Sequence, residues 1–323
     1  MTRPRVLVTR RWPAEVEAVL AERFDAVLNP SDRPFQPEDL RDALTTADAI
    51  LTTVTDKFDA RVLDMAEPRA KVLGNFGVGF SHIDVDAARR AGIMVTNTPD
   101  VLSDCTADLA LTLMLMIARR AGEGEREVRA GGWTGWRPTH LIGAKVTGKT
   151  LGIIGFGRIG QAVARRAHFG FGMTILAQNR SEIPAATLAE VNAEACGNID
   201  DLLQRSDFVS LHCPGGAENR HLVDGRRLSL MKRDAYLINT ARGEVVDEQA
   251  LAKALKTGTL GGAGLDVFDG EPNILPELLN CENAVLLPHL GSATRETRYE
   301  MGMRVVRNVE DVLAGREPAD RIV

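Results

Sequence analysis

The chain has 323 residues and a formal net charge of -5 at neutral pH, with 44% hydrophobic and 26% charged residues. Single hydrophobic cores stop growing at roughly 250 to 300 residues, so this length predicts two domains. The composition is ordinary for a globular protein and argues against disorder or a disulfide scaffold. The acidic balance leaves no basic field to attract nucleic acid or anionic lipid, so we expect the chain to bind neither nucleic acid nor a membrane.

The cysteines and the apolar stretches indicate a soluble protein of a reducing compartment. The cysteines lie scattered along the chain, at Cys105, Cys196, Cys213 and Cys281. They lack metal-ligand spacing, so we predict no metal site, and a chain of this length needs no disulfide bonds. The N-terminus shows no signal-peptide pattern, so a cytoplasmic location is expected. The most apolar stretch, 109–118, is far shorter than the roughly 20 residues of a membrane span and predicts a buried helix.

Short β-branched runs alternate with helical patterns from Arg5 to Pro99. Strands are predicted at 6–8, 49–51, 71–73 and 93–95, and helices at 13–24 and 37–47. This alternation is typical of βαβ units and a parallel sheet. One long helix follows from Val101 to Arg120. The irregular stretch from Gly131 to Gly143, rich in Gly and Trp, is interpreted as a crossing between domains.

A second alternating series follows, with strands predicted at 150–154, 173–177, 207–213, 235–241, 262–268 and 284–287. Such a series is typical of a Rossmann unit. The helical tail from about Ala293 to Ala314 has no compact unit of its own and must pack on a domain already built. The predicted fold class is therefore α/β, with two doubly wound parallel-sheet domains. An NAD(P)-binding Rossmann domain over 100–288 is inserted in a flavodoxin-like substrate domain formed by 1–99 and 289–323.

Three glycines lie between the strand predicted at 150–154 and the helix that follows it. In this setting their spacing is the fingerprint of a dinucleotide-binding turn. Gly155 permits the tight turn, Gly157 lets the backbone approach a pyrophosphate, and Gly160 lets helix and strand pack closely. The alternative is a glycine-rich turn without a ligand. The cofactor contacts predicted in this turn are Gly155, Phe156, Gly157, Arg158, Ile159 and Gly160.

The second strand of this unit ends without the acid that would bind a ribose 2′-hydroxyl, because Asn179, Arg180 and Ser181 stand there. A carboxylate at this point would repel a 2′-phosphate by roughly 4 kcal/mol per unit charge at about 4 Å and an effective dielectric constant of about 20. Asn179 removes that repulsion, Arg180 adds a fork of donors suited to phosphate, and Ser181 adds a hydroxyl. These residues favour NADP(H). NAD(H) stays possible if Arg180 stacks on the adenine instead.

An arginine, two acids and a histidine follow three later strands, at the edge where open α/β sheets bind ligands. These residues are Arg242, Asp266 with Glu271, and His289. An arginine binds a carboxylate and polarises the adjacent carbonyl group. A histidine exchanges a proton near neutral pH, and Glu271 would stabilise its imidazolium form. This chemistry suits reduction of a 2-keto acid, which should fade as pH rises while the reverse oxidation grows.

Together, six ordered motifs resemble the D-isomer-specific 2-hydroxyacid dehydrogenases, particularly the glyoxylate/hydroxypyruvate reductase branch, over nearly the whole chain. The motifs are Gly74 to Asp84, Gly155 to Gly160, Leu211 to Pro214, Asn239 to Gly243, Gly264 to Pro272, and Pro288 to Ser292. The resemblance implies that Arg242 binds the substrate, Glu271 orients the histidine, and His289 is the acid/base.

The resemblance also implies further contacts. The backbone amides of Val78 and Gly79 would hold the substrate carboxylate, and Asp266 would meet the nicotinamide carboxamide. The other cofactor-lining residues would be Thr106, Cys213, Pro214, Thr240 and Gly291. The chain would form a homodimer through the stretch carrying Trp133 and Trp136. Trp136 would either reach the neighbouring subunit's substrate site or pack in the interface. The loop 214–219 departs from the family in lacking the usual threonines.

The predicted function is NAD(P)H-dependent reduction of a small 2-keto acid, of the glyoxylate or hydroxypyruvate type, to the D-2-hydroxy acid. One alternative is a dinucleotide-sensing binding protein, like the transcriptional corepressors that share this fold, although the chain lacks their long extra tails. Another is a dehydrogenase of a different small acid, such as formate or phosphite. The formate enzymes carry Gln where Glu271 stands, which speaks against them.

Overall fold

The computed structural model describes residues 3–323, so Met1 and Thr2 of the predicted first domain lie outside the described residues. The chain forms two compact units, one built from the chain up to Leu102 together with Thr294–Val323, and one from Ser103–Ala293. Each boundary lies a few residues beyond the predicted one. His289 therefore falls in the second unit, because its backbone N–H donates to Asp266 O (2.9 Å) there. The assignment of substrate and cofactor binding to the two units stays a prediction.

The described part of the first unit contains a five-stranded parallel sheet. Its strands are β1 (Arg5–Val8), β2 (Asp25–Val27), β3 (Ala49–Thr52), β4 (Val72–Asn75) and β5 (Met94–Thr96). They pair in the order β2-β1-β3-β4-β5, which is the flavodoxin-like order. Strands β3 and β4 are buried along their whole length, as expected where helices cover both faces of a parallel sheet. The sequence prediction missed β2, a short edge strand with an exposed aspartate at its start.

Helices α1 (Ala14–Arg23), α2 (Pro37–Thr46), α3 (Ala60–Leu63) and α4 (Val85–Arg90) connect these strands. The start of α2 is fixed by a capping box, in which Gln36 and Asp39 bond each other's backbone, and by Pro37 at the first helical position. Helix α1 turns Val16 and Leu20 into the core. These short connections keep the carboxyl ends of the strands at one edge of the sheet.

The second unit, Ser103–Ala293, lies wholly within the described chain and contains a seven-stranded parallel sheet. Its strands are β6 (Thr150–Ile154), β7 (Thr174–Gln178), β8 (Glu194–Ala195), β9 (Phe208–Leu211), β10 (Tyr236–Asn239), β11 (Gly262–Leu265) and β12 (Ala284–Leu286). The order β12-β11-β10-β9-β6-β7-β8 is the Rossmann order with one further strand. The predicted fold class is confirmed. The prediction missed β8, a two-residue exposed strand at the edge.

The helices of this unit begin with α5 (Ser103–Ala118), α6 (Ala121–Arg129), α7 (Arg158–Phe171) and α8 (Ala185–Ala189). They continue with α9 (Ile199–Arg205), α10 (Gly225–Leu230), α11 (Glu248–Thr257) and α12 (Pro276–Leu279), and single 3₁₀ turns lie at Ala217–Asn219 and Gly243–Val245. The predicted helix 101–120 is too long at its end. Arg120 has a left-handed φ of 54°, which breaks the helix and starts α6.

The last helix, α13 (Arg295–Leu313), packs in the first unit. Its buried face carries Val305 and Val309, which join the core beside β4. A Cβ placed on Gly74 of β4 would lie 2.7 Å from Val305 Cγ1 and 3.0 Å from Val309 Cγ2. The missing side chain at Gly74 therefore lets the helix lie directly on the sheet. Among the helices of residues 3–323, none is long and apolar enough to cross a membrane.

Candidate active site

The glycine turn joins β6 to α7, and its glycines meet two different requirements. A Cβ placed on Gly155, whose φ is +94°, would lie 2.5 Å from Cys213 N, and one on Gly160 would lie 2.3 Å from Gly155 O. These two glycines allow close backbone packing. At Gly157, by contrast, no atom of the described chain lies within 4 Å of such a Cβ. Gly157 stands directly before the first turn of α7, so the turn fits the pyrophosphate of a dinucleotide.

The other predicted residues of this turn differ in what they expose. Phe156 is buried in the core of the unit, and Ile159 packs against the same core. Phe156 therefore offers a ligand only its backbone, whereas Ile159 keeps part of its side chain exposed. Arg158, the first residue of α7, is exposed.

The end of β7 places Asn179, Arg180 and Ser181 beside the turn, because β7 pairs with β6. The Asn179 side chain donates from Nδ2 to Ser181 Oγ (2.9 Å), which orders the short loop. The Arg180 guanidinium forms an ion pair with Glu218, from the loop that follows β9. Sequence reasoning missed Glu218, which brings a carboxylate to an edge where the sequence of β7 provides none.

Further predicted cofactor residues meet at this edge of the same unit. Thr106 Oγ1 donates to Gly291 O (3.1 Å), and Gly291 N donates to Asp266 Oδ2 (2.8 Å). These bonds bring the start of α5 to the loops that follow β11 and β12. The remaining residues follow neighbouring strands, with Cys213 and Pro214 after β9 and Thr240 after β10.

Two groups near the turn are held uncharged by burial. Burial lowers the pKa of His212 to about 3, and its Nε2 lies 2.8 Å from Ser210 Oγ. Burial also raises the pKa of Cys213 to about 11. A neutral imidazole and an unreactive thiol support a structural role for both side chains.

Arg242 is fixed by the loop that follows β10. Asn239 accepts from Ala241 N (3.0 Å) and donates to Arg242 O (3.0 Å), which closes the loop on itself. A Cβ placed on Gly243 would lie 1.9 Å from the carbonyl carbon of Phe268, so this loop packs directly on the segment after β11. Burial lowers the pKa of Arg242 from its ordinary value, while the charges of nearby acids oppose the shift. An arginine stays charged near neutral pH, so a cation stands at this edge.

Glu271 and His289 form a hydrogen-bonded pair in which His289 Nδ1 lies 2.8 Å from Glu271 Oε2. The other carboxylate oxygen, Oε1, accepts from Phe268 N (2.9 Å), so the glutamate is held at both ends. Burial opposes ionisation of Glu271. The bond and charge of His289, the Phe268 N–H and the charge of Arg242 outweigh it and lower the glutamate pKa below its ordinary value. With Nδ1 engaged, the imidazole presents Nε2 to a ligand.

The loop that carries His289 is held by hydrogen bonds to the buried carboxylate of Asp266. Leu290 N donates to Asp266 Oδ1 (2.6 Å) and Gly291 N to Oδ2 (2.8 Å). His289 itself has a left-handed φ of 56°, which these bonds hold in place. Burial raises the pKa of Asp266, while the two amide bonds and the charge of His289 oppose that rise. The predicted nicotinamide contact is thus also the anchor of the histidine loop. We call Arg242, Glu271 and His289 the edge cluster.

In the first unit, the carbonyl groups of Val78 and Gly79 are fixed by hydrogen bonds. Asn75 Nδ2 donates to both Gly77 O and Gly79 O (3.0 Å each), and Asn97 Nδ2 donates to Val78 O (2.8 Å). Within residues 3–323, the N–H groups of Val78 and Gly79 show no acceptor. Two adjacent free amides fit a carboxylate. Sequence reasoning gave Asn75 and Asn97 no role, although each stands at the carboxyl end of a strand.

A cavity of about 1490 Å³ lies at the opposite edge of the seven-stranded sheet. Its lining includes Lys149, Asp207, Gly261 and Asn283, each of which immediately precedes a strand. The edge cluster does not line it. The cavity is therefore separate from the candidate active site.

The fold and the site define a dinucleotide-dependent oxidoreductase, and comparison with known proteins gives its family. The sequence profile of the D-isomer specific 2-hydroxyacid dehydrogenase NAD-binding domain matches residues 111–291, more than half of the chain. The chain belongs to this family, which confirms the resemblance seen in the sequence. A glyoxylate reductase of Thermococcus kodakarensis is 46% identical over 320 residues, covering 98% of this chain and 95% of that protein.

Solved structures agree with this assignment. A protein of Thermus thermophilus matches with a TM-score of 0.90 and 43% identity, covering 99% of this chain and 100% of the other. An NADPH-dependent glyoxylate/hydroxypyruvate reductase from Sinorhizobium meliloti, in complex with NADP and malonate, matches with a TM-score of 0.87 and 34% identity. That match covers 100% of this chain and 97% of the other. The two-unit fold is thus shared along the whole length.

The glycine turn predicts opposite effects for two similar substitutions. Gly157→Ala should leave the free energy of unfolding within about 0.5 kcal/mol of the parent, because its Cβ meets no protein atom. It should weaken dinucleotide binding by about tenfold or more, because the methyl group fills the ligand's space. Gly160→Ala should instead destabilise the fold by about 1 to 3 kcal/mol. Chemical denaturation and fluorescence titration measure both; equal destabilisation by the two variants would contradict the assignment of Gly157 to the ligand.

Proposed function

We propose that the chain reduces a small 2-keto acid to the D-2-hydroxy acid, with a nicotinamide dinucleotide as hydride donor. The observation that carries this proposal is the bond between His289 Nδ1 and Glu271 Oε2 (2.8 Å), in the same unit and at the same sheet edge as Arg242. Each side chain of the pair is about one third exposed, so a small acid has access to it. The glyoxylate reductases among the relatives support the substrate class.

The edge cluster supplies the protein's part of this chemistry. The Arg242 guanidinium binds the substrate carboxylate and polarises the adjacent carbonyl group. When bound, the reduced dinucleotide supplies the hydride that reaches the carbonyl carbon. The protonated imidazole of His289 gives its Nε2 proton to the carbonyl oxygen, which balances the reaction to a hydroxy acid. Glu271 keeps the imidazole oriented and stabilises its charged form. Separately, we propose that the amides of Val78 and Gly79, in the first unit, bind a carboxylate.

We also propose that NADP(H) is the preferred cofactor and that NAD(H) is accepted. Asn179, Arg180 and Ser181 support this preference, because none of them is an acid and Arg180 offers a planar fork of donors. The Sinorhizobium meliloti relative is NADPH-dependent, which points the same way. We place the pyrophosphate on the glycine turn and the nicotinamide near Thr106, Asp266 and Gly291.

A panel of 2-keto acids assayed with NADPH and with NADH tests this function. We expect glyoxylate and hydroxypyruvate to be the best substrates, phenylpyruvate to be poor, and NADPH to be favoured. The same panel with His289→Asn should show a loss of turnover of about a hundredfold or more, because the proton donor is gone while the cofactor contacts stay.

The same assays define what would contradict the proposal. Activity of His289→Asn within about tenfold of the parent, with cofactor still bound, would remove His289 as proton donor. A preference for phenylpyruvate would overturn the small-acid assignment, and a tenfold preference for NADH would overturn the NADP(H) preference.

The Glu271–His289 pair predicts a pH profile. Because its pKa is lowered, Glu271 stays ionised through the neutral range and keeps its bond to His289 Nδ1. Reduction consumes a proton, so it should decline as pH rises, while oxidation of the hydroxy acid grows. Glu271→Gln removes the charged partner of His289, so reduction should be slower than in the parent across the neutral range. Parallel pH profiles of parent and variant in both directions check this, and reduction by Glu271→Gln as fast as by the parent would reject the pairing.

The segment between α6 and β6 supports a homodimer. It exposes large apolar side chains, with Trp133 55%, Trp136 83% and Ile142 65% accessible. Such a concentration of exposed apolar surface is typical of a protein contact. We propose that a second copy of the chain covers this segment and that Trp136 lies at or near the partner's site. Sedimentation equilibrium should give the mass of two chains, and Trp136→Ala should weaken the dimer; a monomeric parent at micromolar concentration would reject it.

We propose a cytoplasmic location for this enzyme. The four cysteines lie in the described range, and all are free thiols. Free thiols are typical of a reducing compartment.

A further inference from the structure

The ion pair between Arg180 and Glu218 joins two loops at the carboxyl edge of the seven-stranded sheet. Arg180 follows β7, and Glu218 lies in the 3₁₀ turn Ala217–Asn219 that follows β9. Strands β7 and β9 flank β6, whose end carries the glycine turn. In a Rossmann unit the ribose of the adenosine half lies beside the end of the second strand, which is β7 here. The pair therefore lies where a Rossmann unit contacts the ribose 2′ position of a dinucleotide.

The loop that carries Glu218 is tied to the loop of Arg242. Gly216 N donates to Glu244 Oε1 (2.9 Å). A Cβ placed on Gly215 would lie 2.5 Å from Glu244 Oε1 and 2.9 Å from Arg242 Cγ. The glycine therefore permits a close approach that a side chain would block. This close approach, together with the bond of Gly216, holds the backbone before Glu218 in place.

We propose that Glu218 sets the choice between the two dinucleotides, by supplying from the β9 loop the carboxylate that the end of β7 lacks. It occupies Arg180 in competition with the 2′-phosphate of NADPH. It accepts a hydrogen bond from the free 2′-hydroxyl of NADH, as an acid at the end of the second strand does in other Rossmann units. The inference rests on the proposed use of both cofactors, and it turns Arg180 and Glu218 into opposing determinants of selectivity.

The size of the effect follows from the charges and their exposure. A 2′-phosphate carries between one and two negative charges, so a carboxylate beside it raises the free energy of the NADPH complex. The Arg180 and Glu218 side chains are 81% and 78% exposed, so water screens the interaction strongly. We therefore expect Glu218 to weaken NADPH binding by about fivefold, which corresponds to about 1 kcal/mol. NADH has no phosphate and escapes this repulsion.

The experiment measures binding to the full chain without substrate, by calorimetric titration with NADPH and with NADH. Glu218→Gln should tighten NADPH binding by about fivefold and leave NADH binding unchanged or up to about threefold weaker. Arg180→Gln should weaken NADPH binding by about tenfold and leave NADH within about twofold. In the double variant the gain from Glu218→Gln should be smaller, because no guanidinium is left to release.

A matched control separates this effect from a general loss of negative charge. Glu190 is also an exposed acid paired with an arginine of the same unit, Arg165 (2.9 Å), and Glu190→Gln should leave both dissociation constants within about twofold. Weaker NADPH binding in Glu218→Gln would show that Glu218 orients Arg180 for the phosphate, and unchanged binding of both cofactors would show no role. Either result overturns this inference alone. A parent chain that binds neither dinucleotide would overturn the proposed function as well.

Discussion

The buried carboxylate of Asp266 accepts hydrogen bonds from the backbone N–H groups of Leu290 and Gly291, and the candidate site depends on these two bonds. They fix the loop after β12, on which His289 sits in a left-handed conformation. The same loop receives the hydroxyl of Thr106 through Gly291 O (3.1 Å). One acid thereby joins His289, the proposed acid–base residue, to the region that we assign to the nicotinamide. Its burial raises its own pKa, and the amide bonds offset part of that cost.

Because the sheet is parallel, a few contacts are enough to assemble the candidate site. All strands of the second unit run in one direction, so the loops after β6, β7, β9, β10, β11 and β12 leave from the same edge. Close backbone packing then brings distant segments of the chain together, as where Gly243 meets Phe268 and Gly155 meets Cys213. Glycine at these points replaces a side chain by a direct contact. The polar residues that follow each strand therefore converge without any long loop.

The sequence predicted the parts of this architecture that leave a local pattern. Central strands such as β6 and β10 were found because a strand buried on both faces is mostly apolar. The edge strands β2 and β8 were missed because they are short, exposed and partly charged. The break at Arg120 was missed because residues 118–121 are all good helix formers, so only tertiary structure ends α5.

In the candidate site, too, some features could be predicted from the sequence and others could not. The edge cluster could be proposed from the sequence because its residues lie in the loops after strands and belong to ordered motifs. The contacts of Asn75 and Glu218 were not predictable, for two different reasons. Asn75 bonds two carbonyl groups of its own loop, and these contacts depend on the conformation of that loop. Glu218 pairs with Arg180, which is 38 residues away in the sequence and is brought close only by the fold.

The return of α13 to the first unit sets an order for assembly on the ribosome. Val305 and Val309 fill the surface beside Gly74, but they are synthesised only after the whole of Ser103–Ala293. The second unit is continuous in sequence and has all of its own core as soon as Ala293 has emerged. The first unit, although it begins first, must keep part of one face of its sheet uncovered until α13 is made, because α1 alone packs there beforehand. Domains generally fold as units during synthesis, so the inserted unit is able to finish before the one that surrounds it.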